Sequence, residues 1–268
     1  MSSSSASPPR RLALGIALIL ALALILTAGV VVGCGSDSAS DDSASPAAGA
    51  GAPEEIRIAY QLIPNGDLIV KDQGWLEAAL PDTTITWVKF DSGADVNTAV
   101  IAGSIDIGLA GSSPVAAGLS SPMNIPYKVP WIHDVIGAAE SLIVRNDAGI
   151  TDVAGLEGKK LGTPFGSTAH YSALAAIEAA GVDPTKVKLV DLQPPDILAA
   201  WQRGDIDAAY VWNPTLADLK KDGTVLVTSA ELAEQGKLTA DLAIVTNEFA
   251  EAYPDAVQTW VDQQNRAV

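Results

Sequence analysis

Cysteine and histidine are almost missing from this sequence. Its 268 residues include one cysteine, Cys34, and two histidines, His133 and His170. A single thiol excludes an intramolecular disulfide and any zinc or redox site built from paired cysteines. No His, Cys, Asp and Glu residues follow the spacing of a zinc site, and the acidic loop of an EF-hand is also missing. The sequence therefore implies no metal and no cofactor.

Basic residues are scarce as well. The chain has 16 Lys and Arg against 32 Asp and Glu, which gives a formal net charge of −16. Nucleic-acid binding is excluded, because neutralising phosphates requires clustered Lys or Arg. The acidity is explained by solubility, since a small zwitterionic ligand is recognised by local groups and not by total charge.

The first 33 residues are organised as an export leader. A polar start and Arg10-Arg11 precede an almost continuous apolar run over residues 12–32. The run ends in Val31-Val32-Gly33-Cys34, which matches the lipobox, where cleavage leaves a lipidated cysteine as the new N-terminus. We therefore predict a lipoprotein signal peptide over residues 1–33 and acylation of Cys34.

Two alternatives for the leader stay open. The apolar run is long enough to span a bilayer as an uncleaved anchor. The paired arginines leave both general and twin-arginine export as routes. Residues 34–55 are dominated by Ser, Ala, Gly and Asp, a composition that cannot bury enough apolar surface to fold, so we predict a flexible tether.

From residue 56 onward, short apolar runs alternate with helical patterns, which predicts an α/β fold. The predicted strands cover residues 56–60, 84–90, 105–109, 160–163, 187–191, 208–211 and 224–227. The predicted helices cover residues 67–80, 95–102, 114–119, 169–180, 196–202 and 214–221. Two further apolar stretches, residues 141–146 and 242–246, are predicted to cross between two lobes. Trp75 and Trp201 are predicted to be core residues, since they stand at helical spacing among apolar neighbours.

Several separated segments resemble the taurine-binding proteins of ABC importers, a group within the sulfonate, nitrate and taurine solute-binding family. They are Phe90-Asp91-Ser92-Gly93-Ala94, Gly111-Ser112-Ser113-Pro114 and the run over residues 162–214, and the resemblance extends from about Ile56 to Tyr253. It implies a two-lobed type II periplasmic binding protein with mixed sheets flanked by helices. Lobe 1 would cover residues 56–140 and lobe 2 residues 147–241, with 242–268 returning to lobe 1. Members of the family continue for several more helices, so we expect the C-terminal part of lobe 1 to be missing.

Two loops are candidates for holding the sulfonate of such a ligand. Gly111, Ser112 and Ser113 follow one predicted strand, and Ser167, Thr168 and His170 follow another; both loops enter helices. Ligands bind at the carboxyl ends of strands in open α/β sheets, and helix N-termini present free N–H groups to anions. Ordinary helix capping by these hydroxyl residues is the alternative. The presence of one loop in each predicted lobe favours ligand contact.

The ammonium end of the ligand needs carboxylates and an aromatic face. Glu140 ends an apolar stretch where a solvated charge has little reason to sit, and Asp205 is the second candidate, with Asp207 expected to cap its turn or pair with Arg203. Trp212 is a candidate cation–π wall. The pair Tyr60 and Gln61, at the end of the first strand, is expected to close the site.

Enzyme functions are weaker alternatives. Ser112, His170 and Asp205 are the residue types of a nucleophilic triad, but the serine loop is not a G-x-S-x-G nucleophile elbow. An iron-dependent pyrimidine-precursor synthase shares the implied fold, but the chain has no histidine- or cysteine-rich segment to match it.

The sequence thus predicts a non-enzymatic receptor, anchored through Cys34 at the outer face of the cell membrane or in the periplasm. The ligand is expected to be taurine or a close aminosulfonate, with an alkanesulfonate lacking the amine as the alternative. The expected partners are the permease and ATPase subunits of an ABC importer, and the receptor itself is expected to be monomeric.

Overall fold

The computed structural model describes residues 51–268. The predicted signal peptide, the predicted lipidation site Cys34 and most of the predicted tether lie outside these residues. Within the described range, each helix is too short or too polar to cross a membrane.

Strands and helices alternate along the described residues, as the sequence predicts. The strands are β1 (Glu55–Gln61), β2 (Thr84–Phe90), β3 (Ile107–Gly111), β4 (Tyr127–Val135), β5 (Glu140–Arg145), β6 (Lys160–Thr163), β7 (Lys188–Asp191), β8 (Ala208–Trp212), β9 (Gly223–Thr228) and β10 (Ala240–Thr246). The helices are α1 (Gly66–Gln73), α2 (Trp75–Ala79), α3 (Gly93–Ile101), α4 (Ser112–Leu119), α5 (Thr168–Ala179), α6 (Pro194–Arg203), α7 (Thr215–Leu219), α8 (Ser229–Glu234), α9 (Asn247–Ala252) and α10 (Pro254–Ala267).

The strands form two five-stranded mixed sheets. The first has the order β2-β1-β3-β10-β4 and the second the order β7-β6-β8-β5-β9. Strands β2, β1 and β3 of the first sheet are parallel, and so are β7, β6 and β8 of the second. Strands β10 and β5 run antiparallel to both of their neighbours. We call the parts built on these sheets lobe 1 and lobe 2. The prediction of an α/β fold with two mixed sheets flanked by helices is confirmed.

Each sheet is covered on both faces, because side chains alternate along a strand. On β1, Ile58 packs into one apolar cluster and Ala59 into the other. On β5, Leu142 and Ile143 divide in the same way between the two clusters of lobe 2. Trp201 is buried in lobe 2, as predicted.

Two connections join the lobes. The chain leaves β4 for β5 through residues 136–139 and returns from α8 to β10 through residues 235–239. The connections are hydrogen-bonded to each other, since the Ile136 N–H donates to the Thr239 carbonyl at 3.0 Å. Paired connections of this kind give a hinge about which two lobes can close.

Two local predictions are wrong. The helix predicted over residues 67–80 is broken at Gly74, which adopts φ 61° and ends α1; this left-handed conformation favours glycine. Strand β4 was not predicted at all. It is an edge strand with Pro130 and register shifts against β10, so its sequence lacks regular alternation.

Candidate functional site

A cavity of about 200 Å³ lies between the two lobes. From lobe 1 and the connections it is lined by Gln61, Ile63, Pro64, Gly93, Gly111, Pro114, Asp134, Val135, Ile136, Gly137, Ala139 and Asp241. From lobe 2 it is lined by Glu140, Ser167, Thr168, Trp212 and Asn213. The volume suits a ligand smaller than drug-sized molecules, whose pockets measure roughly 300–1,000 Å³.

Several helices begin at the wall of this cavity. Gly93 opens α3, Gly111 precedes α4, and Ser167 caps α5 by accepting a hydrogen bond from the His170 N–H at 3.2 Å. The first N–H groups of a helix have no partner within the helix and carry partial positive charge. Three such ends around one cavity therefore form a candidate anion site without a basic side chain.

The two lobes touch at this anion site. A methyl group added at Gly111 would come within 2.5 Å of Thr168 Cγ2, so only glycine permits the observed approach. The start of α4 in lobe 1 is thereby held against the start of α5 in lobe 2.

Glu140 lies at the start of β5 with 2% of its surface exposed. Its carboxylate accepts hydrogen bonds from the hydroxyls of Thr168 at 2.7 Å, Ser229 at 2.9 Å and Ser172 at 3.4 Å. Burial raises the pKa of Glu140 to about 7, and these hydroxyls oppose the rise. The side chain is thus held in a fixed position at the cavity wall by three hydroxyl groups.

Trp212 is the last residue of β8, the strand beside Glu140, and Asn213 follows it; both line the cavity. Trp212 pairs with Glu140 across the antiparallel strands, and Glu140 lines the cavity as well. The Asn213 side-chain oxygen is buried and accepts no hydrogen bond within residues 51–268. Both residues fit the positive end of a ligand, through an aromatic face and a free acceptor.

The structure brings together six of the predicted site residues around the cavity: Gln61, Gly111, Glu140, Ser167, Thr168 and Trp212. Gln61 is buried and donates to the Leu109 carbonyl at 3.1 Å, which fixes it at the end of β1. Their direct contact with a ligand stays a prediction.

Five predicted site residues do not line the cavity. Tyr60 points to the other face of the sheet from Gln61, where it lies against Trp87 with 6.2 Å between ring centroids. Ser112 accepts a hydrogen bond from the Ala240 N–H at 3.2 Å, which ties α4 to β10. Ser113 is half-buried and makes no side-chain hydrogen bond within the described residues.

His170 and Asp205 are also placed elsewhere. His170 accepts a hydrogen bond from the Gly166 N–H at 3.2 Å and stacks on Phe165, with ring centroids 4.4 Å apart. Burial lowers the pKa of His170. Asp205 precedes β8, so it lies at the opposite edge of the sheet from Trp212, where it is exposed and pairs with Arg203 at 2.7 Å.

The placement of Asp205 corrects two expectations. Arg203 pairs with Asp205 and not with Asp207, which instead accepts a hydrogen bond from the Lys160 N–H at 2.8 Å. The hypothetical triad of Ser112, His170 and Asp205 is likewise not assembled. Within residues 51–268, no group of three or more His, Cys, Asp and Glu residues is arranged to hold a metal ion.

Sequence reasoning missed two cavity carboxylates, Asp134 and Asp241. Asp241 stands at the start of the apolar run 242–245, a signal related to that of Glu140, which ends an apolar run. Asp134 lies on the unpredicted edge strand β4 and gave no local signal. Burial raises the pKa of both carboxyls, and neighbouring negative charges raise that of Asp241 further.

Comparison with known proteins gives consistent matches. Residues 54–265 match the model of the substrate-binding domain of ABC-type glycine betaine transport systems. The chain is 44% identical over 177 residues to the taurine-binding periplasmic protein of Escherichia coli strain K12, a match that covers 66% of this chain and 54% of that protein. It is 30% identical over 218 residues to a putative aliphatic sulfonates-binding protein of Bacillus subtilis strain 168, with 80% of this chain and 64% of that protein covered.

A solved structure is similar over most of the described residues. It is the alkanesulfonate-binding protein from Xanthomonas axonopodis pv. citri bound to MOPS, with a TM-score of 0.73 and 26% sequence identity. The match covers 81% of this chain and 74% of that protein. By contrast, the chain spans little more than half the length of the E. coli relative.

Proposed function

The chain belongs to the family of substrate-binding domains of ABC-type glycine betaine transport systems, and we propose that it is a solute-binding receptor capturing taurine or a close aminosulfonate for import. The E. coli taurine-binding relative and the B. subtilis sulfonate-binding relative support this ligand class. The chain spans only part of the length of these relatives. The activity of the whole protein as a transport receptor is therefore proposed as well.

The observation that carries the proposal is a cavity lined by groups of two opposite kinds, N–H donors for an anion and acceptors for a cation. The starts of α3, α4 and α5 offer N–H donors to an anion, while Glu140 and Trp212 offer a buried carboxylate and an aromatic face to a cation. Taurine carries a sulfonate and an ammonium two carbons apart. A buried carboxylate that meets a ligand ammonium escapes the large penalty of an unpaired buried charge.

An alkanesulfonate without an amine is the second candidate, favoured by the sulfonate-binding relatives. The helix starts would serve it equally well. Glu140 would then have no cation to meet, and the site would hold a negative ligand beside a negative side chain. The carboxylate therefore favours the aminosulfonate.

We propose capture without chemistry. The lobes close about the paired connections near Ile136 and Thr239, and the closed form delivers the ligand to permease and ATPase subunits. The relatives that match are themselves substrate-binding proteins. We also propose that the receptor is monomeric, exported, and anchored through a lipid on Cys34 at the outer face of the membrane.

Isothermal titration calorimetry of the full chain tests the ligand. Taurine is expected to bind at one site, with ethanesulfonate weaker and with glycine and glycine betaine weaker still. Ethanesulfonate is the matched control, because it keeps the sulfonate and lacks the amine. Tighter binding of glycine betaine than of taurine, or no binding of either sulfonate at millimolar concentration, would overturn the proposal.

A further inference from the structure

The two lobes make a very close contact beside the cavity. Gly111 is the last residue of β3 in lobe 1, and Thr168 is the first residue of α5 in lobe 2. A side-chain carbon added at Gly111 would lie 2.5 Å from Thr168 Cγ2 and 3.5 Å from its Oγ1. Carbon atoms in favourable contact are about 3.5–4.0 Å apart. A methyl group at Gly111 would thus need roughly 1 Å more space than the structure provides.

Both sides of this contact are fixed by their own lobes. The Thr168 hydroxyl donates to the buried Glu140 carboxylate at 2.7 Å. A β-branched side chain is restricted at χ1, and a change of rotamer would break this hydrogen bond. Gly111 is paired with Asp241 of β10 inside the sheet of lobe 1. The contact between Gly111 and Thr168, which we call the lobe stop, therefore limits how closely the lobes approach.

A second contact between small residues lies outside the cavity lining. Gly166 is in the loop between β6 and α5, and Ala94 is in the first turn of α3. A side-chain carbon added at Gly166 would lie 3.6 Å from Ala94 Cβ, an ordinary van der Waals distance. Gly166 adopts φ 76°, a left-handed conformation that favours glycine. The lobes thus approach each other at two places where one partner has no side chain.

The lobe stop fixes one dimension of the cavity. Gly111 and Thr168 both line the cavity, and so do Gly93 and Ser167 beside them. Because these residues come from both lobes, the width of the cavity at the anion site follows from the separation of the lobes. One more methylene lengthens a ligand by at most a carbon–carbon bond of about 1.5 Å. This length is similar to the separation that a methyl group at Gly111 would impose.

We propose that the lobe stop determines ligand length: the contact of Gly111 with Thr168 holds the lobes at the separation that fits two carbons between sulfonate and ammonium. This rests on the proposed function and adds a selection among aminosulfonates that carry the same two charged groups. A longer aminosulfonate is held only when the lobes stay further apart. The packing contacts at the lobe stop are then lost, and the ligand binds more weakly.

The test measures the affinities of the full chain for taurine and 3-aminopropanesulfonate by isothermal titration calorimetry. The second ligand keeps both charged groups and adds one methylene. The wild type is expected to bind taurine more tightly. In Gly111→Ala the ratio of taurine affinity to 3-aminopropanesulfonate affinity should fall roughly tenfold, the lower end of what one methylene contributes in a fitted pocket.

Three further variants accompany Gly111→Ala. Adding Thr168→Ser to Gly111→Ala removes Cγ2 and keeps the hydroxyl, so the ratio should return toward the wild-type value. Ala94→Leu places extra carbons opposite Gly166 at the second contact, outside the cavity lining, and should also lower the ratio. Gly51→Ala is the control, because Gly51 is exposed and an added carbon meets no atom within 4 Å. Its ratio should equal that of the wild type.

The outcomes separate the lobe stop from the proposed function. If Gly111→Ala weakens both ligands equally, or if the wild type binds both equally well, the lobe stop does not determine length and the proposed function stands. If the wild type binds neither aminosulfonate, both proposals fail. A reduced ratio in Ala94→Leu with an unchanged ratio in Gly51→Ala supports the lobe stop even where Gly111→Ala does not fold.

Discussion

Glu140 in lobe 2 and Asp67 in lobe 1 are two carboxylates in nearly the same physical state. They are 2% and 1% exposed, and burial raises the pKa of each to about 7. Their surroundings differ in kind. Glu140 accepts three hydroxyl hydrogen bonds and opens onto the cavity, whereas Asp67 is sealed between α1 and α10.

The contacts around Asp67, which we call the clip, link helix α1 to helix α10. Asp67 accepts a hydrogen bond from the Gln264 side-chain amide at 2.7 Å, and His133 Nε2 lies 3.8 Å from its other oxygen. The His133 ring meets Trp260 edge to face, and burial lowers the pKa of His133 to about 4. These contacts join residues 197 positions apart in the chain, from α1 to α10.

The difference between the two regions shows that a shifted pKa alone does not identify a functional site, because burial is the main cause of the shift in both groups. Asp67 and Glu140 share the shift, but only Glu140 combines it with a cavity, an aromatic wall and nearby helix starts. Substitutions at both regions are expected to change stability. Only those at the cavity are expected to change ligand affinity.

The largest expected effect comes from the tryptophans of the two regions. Trp260→Ala removes a side chain that is 1% exposed in the lobe 1 core, which should lower the free energy of unfolding by about 3–5 kcal/mol. Trp212→Ala removes a half-buried cavity wall, so it should lower stability less and weaken taurine binding more. Urea unfolding with and without taurine measures both. Equal loss of stability in the two variants would contradict the distinction.

A second prediction uses pH. Since the folded-state pKa of Asp67 is about 7 and its ordinary value is 3.8, the proton binds more tightly in the folded state. The stability that this proton contributes is fully present below pH 4 and is lost as pH rises through 7. Asp67→Asn should therefore match the wild type near pH 4 and exceed it at pH 8, by on the order of 2 kcal/mol.

Glu140→Gln is the matched change in the other region. Without ligand it should show the same gain at pH 8, because the same buried charge is removed. With taurine bound, the wild type should be more stable than Glu140→Gln, because only the wild type offers a carboxylate to the ammonium. No such reversal is expected for Asp67→Asn. The exposed Asp82→Asn serves as the control for the loss of a carboxylate at the surface. Loss of taurine binding in Asp67→Asn would show that both regions affect ligand binding, which would contradict the distinction between them.

The sequence predicts the fold well where the signal is local. Alternation and helical spacing identify most buried strands and helices, because side-chain burial follows the period of the element. Glu140 and Trp212 were predictable for the same reason, since each stands at a strand end. Strand β4 was not, because an edge strand with Pro130 tolerates irregular sequence.

The site residues that the sequence does not predict depend on strand register and strand direction. Asp241 faces Asp134 only because β10 returns to lobe 1 and pairs with β4, which no local pattern shows. Asp205 does not line the cavity because it precedes β8, whereas the cavity lies at the end where that strand stops. The clip around Asp67 was invisible for the same reason, since Gln264 reaches it from the far end of the chain.

The smallest expected effect concerns two neighbouring serines at the start of α4, between the cavity-lining residues Gly111 and Pro114. Ser112 Oγ accepts a hydrogen bond from the Ala240 N–H, while Ser113 makes no side-chain hydrogen bond within residues 51–268. Ser112→Ala should lower the free energy of unfolding by about 1 kcal/mol, the usual size of one such bond, and should leave taurine affinity nearly unchanged. Ser113→Ala should change neither quantity. If Ser112→Ala weakens taurine binding without changing stability, its hydroxyl contacts the ligand and the anion site extends further into α4 than the cavity lining indicates.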